Sequence, residues 1–336
     1  MSSSIPPPYS ELAERAFSIT GSEDFNALAM DLFRLHAEKN PVYRGFLDGL
    51  GRHPVMVRRV EDIPCLPIGL FRNHRVLVDG LEPRITFTSS GTTGATTSSH
   101  HVPWPELYRR SFMTSFRAVY GEPTERRILA LLPAYLEREG SSLVYMAQWL
   151  IEASGDPLSG TYLHRYDELA EVLRRSEAEG KKTLLLGVSF ALLDLAEQHA
   201  LPLKHTTIME TGGMKGRRPE LVREELHAIL RKAFGVAEIH SEYGMTEMLS
   251  QAWSSGDGIY RCPPWMRVRM RDANDPFTAL PDGRTGGLDV IDLANIASSP
   301  FISTQDLGRR NKDGSFEVLG RFDHSDVRGC NLLLET

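Results

Sequence analysis

Between residues 127 and 240 the sequence switches repeatedly from short, uninterrupted apolar runs to helical stretches, and this alternation limits the fold more than any other feature. Residues 127–132 (Arg-Ile-Leu-Ala-Leu-Leu) read as a buried strand and 142–153 as an apolar helix. Residues 183–188 read as a second strand, followed by helical 190–199, and 206–210 as a third. Arg218-Pro219 then opens a long helix to Phe234, with proline where a first turn tolerates it, and 236–240 reads as a strand again. Strands alternating with helices of this length predict α/β architecture with a mostly parallel sheet.

The flanks differ. Residues 1–80 read as a helical, proline-punctuated segment in which Leu28, Leu32 and Leu35 recur at helical spacing before Pro64 and Pro67 break the chain. An α/β core is expected over 81–256. After Asp257, turns crowd between short strands such as 288–293 and 315–319, which predicts a small β-rich subdomain over 257–320 and a hinge-like tail over 321–336. A chain of 336 residues suits one large domain or two unequal ones. The net charge of −6 argues against a nucleic-acid surface. The start shows no secretory pattern, and the longest apolar segment, 183–196, is interrupted by Gly187, Ser189 and Asp194, too short to span a bilayer. Cys65, Cys262 and Cys330 lie far apart, so neither a disulfide framework nor a zinc site is indicated. The expectation is a cytoplasmic protein with free thiols.

Five separated segments carry chemistry. Residues 84–87 form a β-type run that leads into Thr88, Ser89, Ser90, Gly91, Thr92, Thr93 and Gly94, a row of hydroxyls and unobstructed backbone N–H groups suited to polyphosphate. It lacks the Gly-Lys-Ser/Thr ending of a Walker loop, and the same composition also makes plain surface turns. The second segment is Glu210-Thr-Gly-Gly-Met-Lys-Gly, the third Ser241-Glu-Tyr-Gly-Met-Thr-Glu, both at predicted strand ends. The fourth and fifth are Ser303-Thr-Gln-Asp-Leu-Gly and Gly320-Arg-Phe-Asp. In an open α/β sheet, ligands sit outside the carboxyl ends of the strands, so the second and third face one crevice.

In this order and spacing the segments resemble the adenylate-forming superfamily of acyl- and aryl-CoA synthetases, luciferases and peptide-synthetase adenylation domains, over residues 84–323. The resemblance implies ATP and Mg²⁺. Residues 88–94 would hold the β- and γ-phosphates, Tyr243 and Gly244 would lie by the adenine, and Thr246 would meet the α-phosphate. Glu247 would ligate Mg²⁺, Asp306 would take the ribose hydroxyls, and Arg321 the ribose or phosphate. Gly212 and Gly213 would floor the adenine and acyl sites. Other readings of single residues stay open: Glu247 as a first-turn helix acid, Asp306 as a turn residue, Tyr243 as a core aromatic. Phe190, Leu192 and Leu193 suit an acyl pocket or helix packing equally.

Two departures from the pattern stand out. The Pro-Lys that usually follows the phosphate loop is missing, leaving His100, His101 or Lys215 to bring positive charge. The chain also stops at Thr336, so the family's full C-terminal domain is not expected. In that respect it resembles the acyl-protein synthetases, including the fatty-acid protein ligase of bacterial bioluminescence, as do residues 133–146, 211–216 and the ending Arg328-Gly-Cys-Asn. That branch activates an acid with ATP, acylates a cysteine of its own and hands the thioester to a reductase. By position the cysteine is Cys330, which nearby Arg328 and Arg321 would hold closer to the thiolate. Cys330 also suits a small apolar place in a last strand. A carboxylic acid, and an acyl-reductase or acyl-carrier protein, are the expected partners. A ligase resembling the phenylacetate-CoA ligases and a catalytically weakened nucleotide- or acyl-binding module are the alternatives.

Overall fold

Strands whose residues are all apolar should be covered on both faces, and the central strands are. The computed structural model describes residues 5–89, 97–133, 140–212, 218 and 221–322. In chain order the strands are β1 (Leu66–Pro67), β2 (Ile85–Thr88), β3 (Ser99–Val102), β4 (Arg127–Leu131), β5 (Gly160–Thr161), β6 (Thr183–Val188) and β7 (Thr206–Thr211). They continue with β8 (His240–Tyr243), β9 (Ala252–Ser254), β10 (Ile259–Arg261), β11 (Met266–Arg271), β12 (Thr285–Asp292), β13 (Phe301–Arg310) and β14 (Phe316–Arg321). Every residue of β4 and β6 is buried, as expected for parallel strands sandwiched by helices.

The α/β expectation holds. Strands β5, β4, β6, β7 and β8 pair parallel in that spatial order, separated in sequence by helices Ser142–Ser154, Tyr166–Ala178, Ser189–Gln198 and Arg223–Phe234. From β8 onward the same sheet continues antiparallel through β9, β10, β14, β13, β12 and β11. The β-rich second half therefore extends the parallel sheet without an edge between them. A separate hairpin, β2 with β3, pairs Thr88 with Ser99.

Two elements differ from expectation. The helix ending at Phe234 begins at Arg223, with Val222 extended before it, rather than at Pro219. Residues 236–239 are a connection and the strand is β8, because Val236 and Ile239 pack as loop residues while the pairing partners of β7 are His240 and Ser241. Phe190, Leu192 and Leu193 are all core residues, Leu192 seated against Gly187, so helix packing accounts for them.

The connection between β12 and β13, residues 293–299, is buried throughout yet belongs to no strand or helix. Backbone polar groups buried this way need partners, and distant segments provide them. His36 Nε2 donates to Ile296 O at 2.9 Å, and Asn40 Nδ2 to Ser298 O at 2.6 Å. Val78 N donates to Ala297 O at 2.8 Å, and Ser298 Oγ to Val76 O at 2.8 Å. Asp292 accepts from Leu249 N at 2.7 Å and Ser250 Oγ at 2.6 Å, while burial pushes its carboxyl up to about 6.

Burial holds the His36 imidazole down at about 4. The unfolded chain then binds the extra proton first, so this residue's contribution is present above about pH 6.5 and is lost as pH falls toward 4. Comparing urea midpoints of wild type and His36→Gln at pH 7 and pH 5 should show the wild-type advantage shrinking by about 1–2 kcal/mol at the lower pH.

Candidate active site

The carboxyl ends of β7 and β8 point the same way, and the chain turns off each of them at a glycine. Thr211 closes β7 and Gly212 follows with φ 72°, a left-handed conformation in which glycine carries no Cβ penalty. Gly244 follows β8, and there space is the constraint: a Cβ would run into Glu242 Oε1 and come within 3.3 Å of Gln251 Cγ. Thr211 Oγ1 donates to Glu242 Oε2 at 2.6 Å, which ties the two strand ends together.

Tyr243, the last residue of β8, is buried, with its ring centroid 5.4 Å from Phe316 and 5.8 Å from Tyr260. Its hydroxyl donates to Asp306 Oδ2 at 2.9 Å, and Arg321 Nε donates to Asp306 Oδ1 at 3.2 Å. Tyr243, Asp306 and Arg321, drawn from three motifs, therefore meet at one carboxylate. Asp306 sits within β13 opposite Arg321 of β14, so it is a strand residue and not a turn former. Burial and the Asp306 charge both push the Tyr243 hydroxyl far above its usual range. Arg321 extends into solvent with 79% of its side chain exposed, so its ion pair holds only loosely.

Thr246 and Glu247 form a turn after β8, and no helix begins there, which removes the first-turn explanation for Glu247. Glu247 is buried, and burial raises its carboxyl pKa against the opposing effects of a hydrogen bond from the Ser98 hydroxyl and the charges of Arg321 and Arg72. Ser98 and Ser89 clasp each other at the neck of the hydroxyl-rich loop: Ser89 N donates to Ser98 O at 3.1 Å and Ser98 N to Ser89 Oγ at 2.9 Å. Thr88 N donates to Gly140 O at 2.8 Å. Glu247 thus touches the base of that loop. Ser90, Gly91, Thr92, Thr93, Gly94, Gly213, Lys215 and Cys330 lie outside the described residues.

Neither histidine after the loop brings positive charge. His100 is fully buried beside Phe71, and desolvation holds it at about 4; His101 is also lowered, by burial and by Arg75. His100 instead positions: Nδ1 donates to Thr246 O at 2.7 Å and Nε2 lies 3.2 Å from Asn295 Oδ1. Asn295 Nδ2 in turn donates to Glu247 O at 2.9 Å and Ser299 O at 3.0 Å. Sequence reasoning missed Asn295 and Arg72, which lie in none of the five segments, and Glu242, which lies inside the third segment but was given no role there. Cys65 and Cys262 are structural thiols, each pushed up to about 12 by burial.

Glu247 offers one carboxylate, and among the described residues no cluster of three or more histidine, cysteine or acidic side chains could hold a metal. A lone carboxylate fits Mg²⁺ shared with a nucleotide's phosphates and does not fit an all-protein metal cage. Among the described residues no helix is long and apolar enough to cross a membrane.

The fold is that of adenylate-forming enzymes. ATP-bound MatB from Rhodopseudomonas palustris matches over 70% of this chain and 47% of its own, with a TM-score of 0.53 and 19% identity. The open conformation of 2-hydroxyisobutyryl-CoA ligase, in complex with its acyl-AMP and CoA, matches over 96% of this chain and 80% of its own, with a TM-score of 0.63 and 14% identity. The amide bond synthetase McbA from Marinactinospora thermotolerans matches over 70% and 48%, with a TM-score of 0.51 and 20% identity. The chain thus spans about half the length of the MatB structures. No protein-family model and no curated protein sequence matches it.

Removing the Asn295 amide strips the donors from two buried carbonyls, Glu247 O and Ser299 O. Asn295→Ala should cost at least about 2 kcal/mol in urea denaturation, given about 1–3 kcal/mol per orphaned group.

Proposed function

We propose that this protein uses ATP and Mg²⁺ to activate a carboxylic acid as an acyl-adenylate and then passes the acyl group to a thiol. The observation that carries this reading is the meeting of Tyr243, Asp306 and Arg321 at one carboxylate, beside strand ends whose glycines leave backbone exposed and a turn that sets Glu247 against the loop neck at Ser98. Residues from 88 to 321 converge there, in an enzyme fold whose solved examples include complexes with ATP and with an acyl-AMP plus CoA.

In the proposed reaction a carboxylate oxygen of the acid attacks the α-phosphorus of ATP, and the bond from that phosphorus to the bridging oxygen of pyrophosphate breaks. The protein's part is mainly placement and neutralisation of charge. Asp306 would accept the ribose hydroxyls, releasing Arg321 toward phosphate, which its exposure permits. Thr246 would contact the α-phosphate, its carbonyl held by His100 so that its hydroxyl and N–H stay available. Bound by Glu247 and the phosphates, Mg²⁺ would supply neutralisation of the triphosphate charge. Residues 88–94, with Gly212, Gly213 and Lys215, complete the proposed nucleotide and acyl site.

The proposed acceptor is the Cys330 thiolate, which attacks the acyl carbonyl as AMP leaves with the electrons of the broken mixed-anhydride bond. The thioester would serve an acyl-reductase or acyl-carrier protein in the cytoplasm, as the resemblance to acyl-protein synthetases suggests. A CoA thiol is the competing acceptor, favoured by the likeness to 2-hydroxyisobutyryl-CoA ligase over nearly the whole chain.

ATP–pyrophosphate exchange over a panel of acids tests the first half. At least one acid should support exchange, and Glu247→Gln should slow it by roughly 10- to 150-fold, the worth of one charge-assisted contact. Exchange with no acid would leave only a nucleotide- or acyl-binding module. Radiolabelled acid with ATP tests the second half: a hydroxylamine-labile label should appear on the protein and vanish in Cys330→Ser while exchange persists. Turnover that requires CoA points to the CoA thiol, and a label that survives the substitution removes Cys330 as the acceptor.

A further inference from the structure

The floor between β8 and β9 holds polar atoms that nothing in the proposed reaction uses. Glu242 sits beside Tyr243 on β8 and faces Trp253 across the β8–β9 pair, with Gln251 two residues before Trp253 in the chain. Trp253 packs against Phe116 and Tyr120, so this face of the sheet looks toward helix Pro105–Tyr120. Both Glu242 and Gln251 close over the same point, the Cα of Gly244, as the clash of a notional Cβ with each of them shows.

Each leaves an oxygen without a donor. Thr211 donates to Glu242 Oε2, and among the described residues nothing donates to Oε1. Gln251 is 3% exposed; its Nε2 donates to Tyr108 Oη at 3.4 Å, an oxygen whose own hydrogen goes to Ser142 O at 3.1 Å, and this fixes the amide orientation. Gln251 Oε1 is buried with no partner among the described residues. Glu242 remains partly accessible. Burial and the charge of Glu210 push its carboxyl up to about 7. Trp253 Nε1, across the strand pair from Glu242, is also buried without a partner, so it gives its hydrogen to neither oxygen, and both are left to receive one from a ligand.

We propose that the acid activated here carries a hydrogen-bond donor, a hydroxyl or ammonium group, that is received by Glu242 and Gln251, in place of a plain alkyl chain. This rests on the adenylation reading above. An alkyl chain would strip water from Glu242 and leave the buried Gln251 Oε1 unpaired, whereas a donor would serve them. The discrimination available from such unpaired buried acceptors is roughly 10- to 100-fold.

The test is ATP–pyrophosphate exchange, with equilibrium binding by calorimetry alongside, over matched sets: C4–C8 alkanoic acids, their 2-, 3- and terminal hydroxy and amino counterparts, and benzoate with its hydroxy and amino forms. The expected result is a donor-bearing acid at least tenfold better in kcat/KM than its unsubstituted match, with that ratio collapsing in Glu242→Leu and in Gln251→Leu. The near-isosteric Glu242→Gln separates the two donors: it keeps a hydroxy acid within a few fold but abolishes preference for an ammonium. If wild type uses plain alkanoic acids as well as any donor-bearing one, or the ratio survives both leucine variants, the inference is overturned and adenylation stands. Absence of both exchange and binding with every acid overturns the two together.

Discussion

The hydrogen bonds gathered by residues 292–299 hold the molecule's distant parts in one frame. After Asp292 closes β12, residues 293–299 lack secondary structure, so each of their polar groups must find a partner elsewhere. Helix Ser22–Lys39 reaches it through His36, Asn40 reaches it from the end of that helix, and Ser298 reaches back to Val76. Asp292 gathers Leu249 and Ser250, and Asn295 gathers Glu247 and Ser299 while His100 holds Thr246. The N-terminal helices, the β2–β3 hairpin and the turn after β8 are thereby fixed relative to one another. Because the low local dielectric makes each unmade bond costly, these contacts act as a set. The position of Glu247 against Ser98 is a consequence of that set.

How much of this the sequence discloses follows from what each segment must bury. Strands β4 and β6 are legible because parallel strands covered on both faces are uninterrupted apolar runs, and Thr183–Val188 has the bounds its composition predicts. Strand β8 is hidden for the opposite reason. His240, Ser241, Glu242 and Tyr243 are polar or amphipathic because the strand carries the site, so the apolar Val236 and Ile239 of the connection attract the strand assignment instead. The motifs containing Tyr243, Asp306 and Arg321 are visible as sequence, and their convergence is visible through the rule that ligands meet strand ends. Which atom joins them is a matter of antiparallel register between β13 and β14, about which a single sequence is silent.

The misassigned charges have a common physical cause. His100 follows a loop suited to phosphate, and its proximity in sequence suggests a cation, yet burial keeps it neutral and its Nδ1–H serves the backbone carbonyl of Thr246. Positive charge comes from Arg321 and Arg72, whose effect on Glu247 arises from folding and not from neighbourhood in the chain. Guanidinium is the better choice for this place, since it keeps its charge where an imidazole would lose it to desolvation.

Glu242 and Glu247 extend that logic to the acids. Both are drawn out of water, both are raised by it, and they lie on either side of Tyr243 and Gly244. Their settings nevertheless differ. Glu247 has a hydroxyl from Ser98 and two guanidinium charges nearby, a balance suited to an ionised carboxylate that meets a cation. Glu242 has Thr211 on one oxygen, the like charge of Glu210 nearby and no cation, so burial and that charge push its carboxyl up to about 7. A fold optimised for stability alone would place a neutral side chain there, as a carboxylate that is buried without a cation weakens the native state. Local rules are broken in this way where a ligand completes the structure.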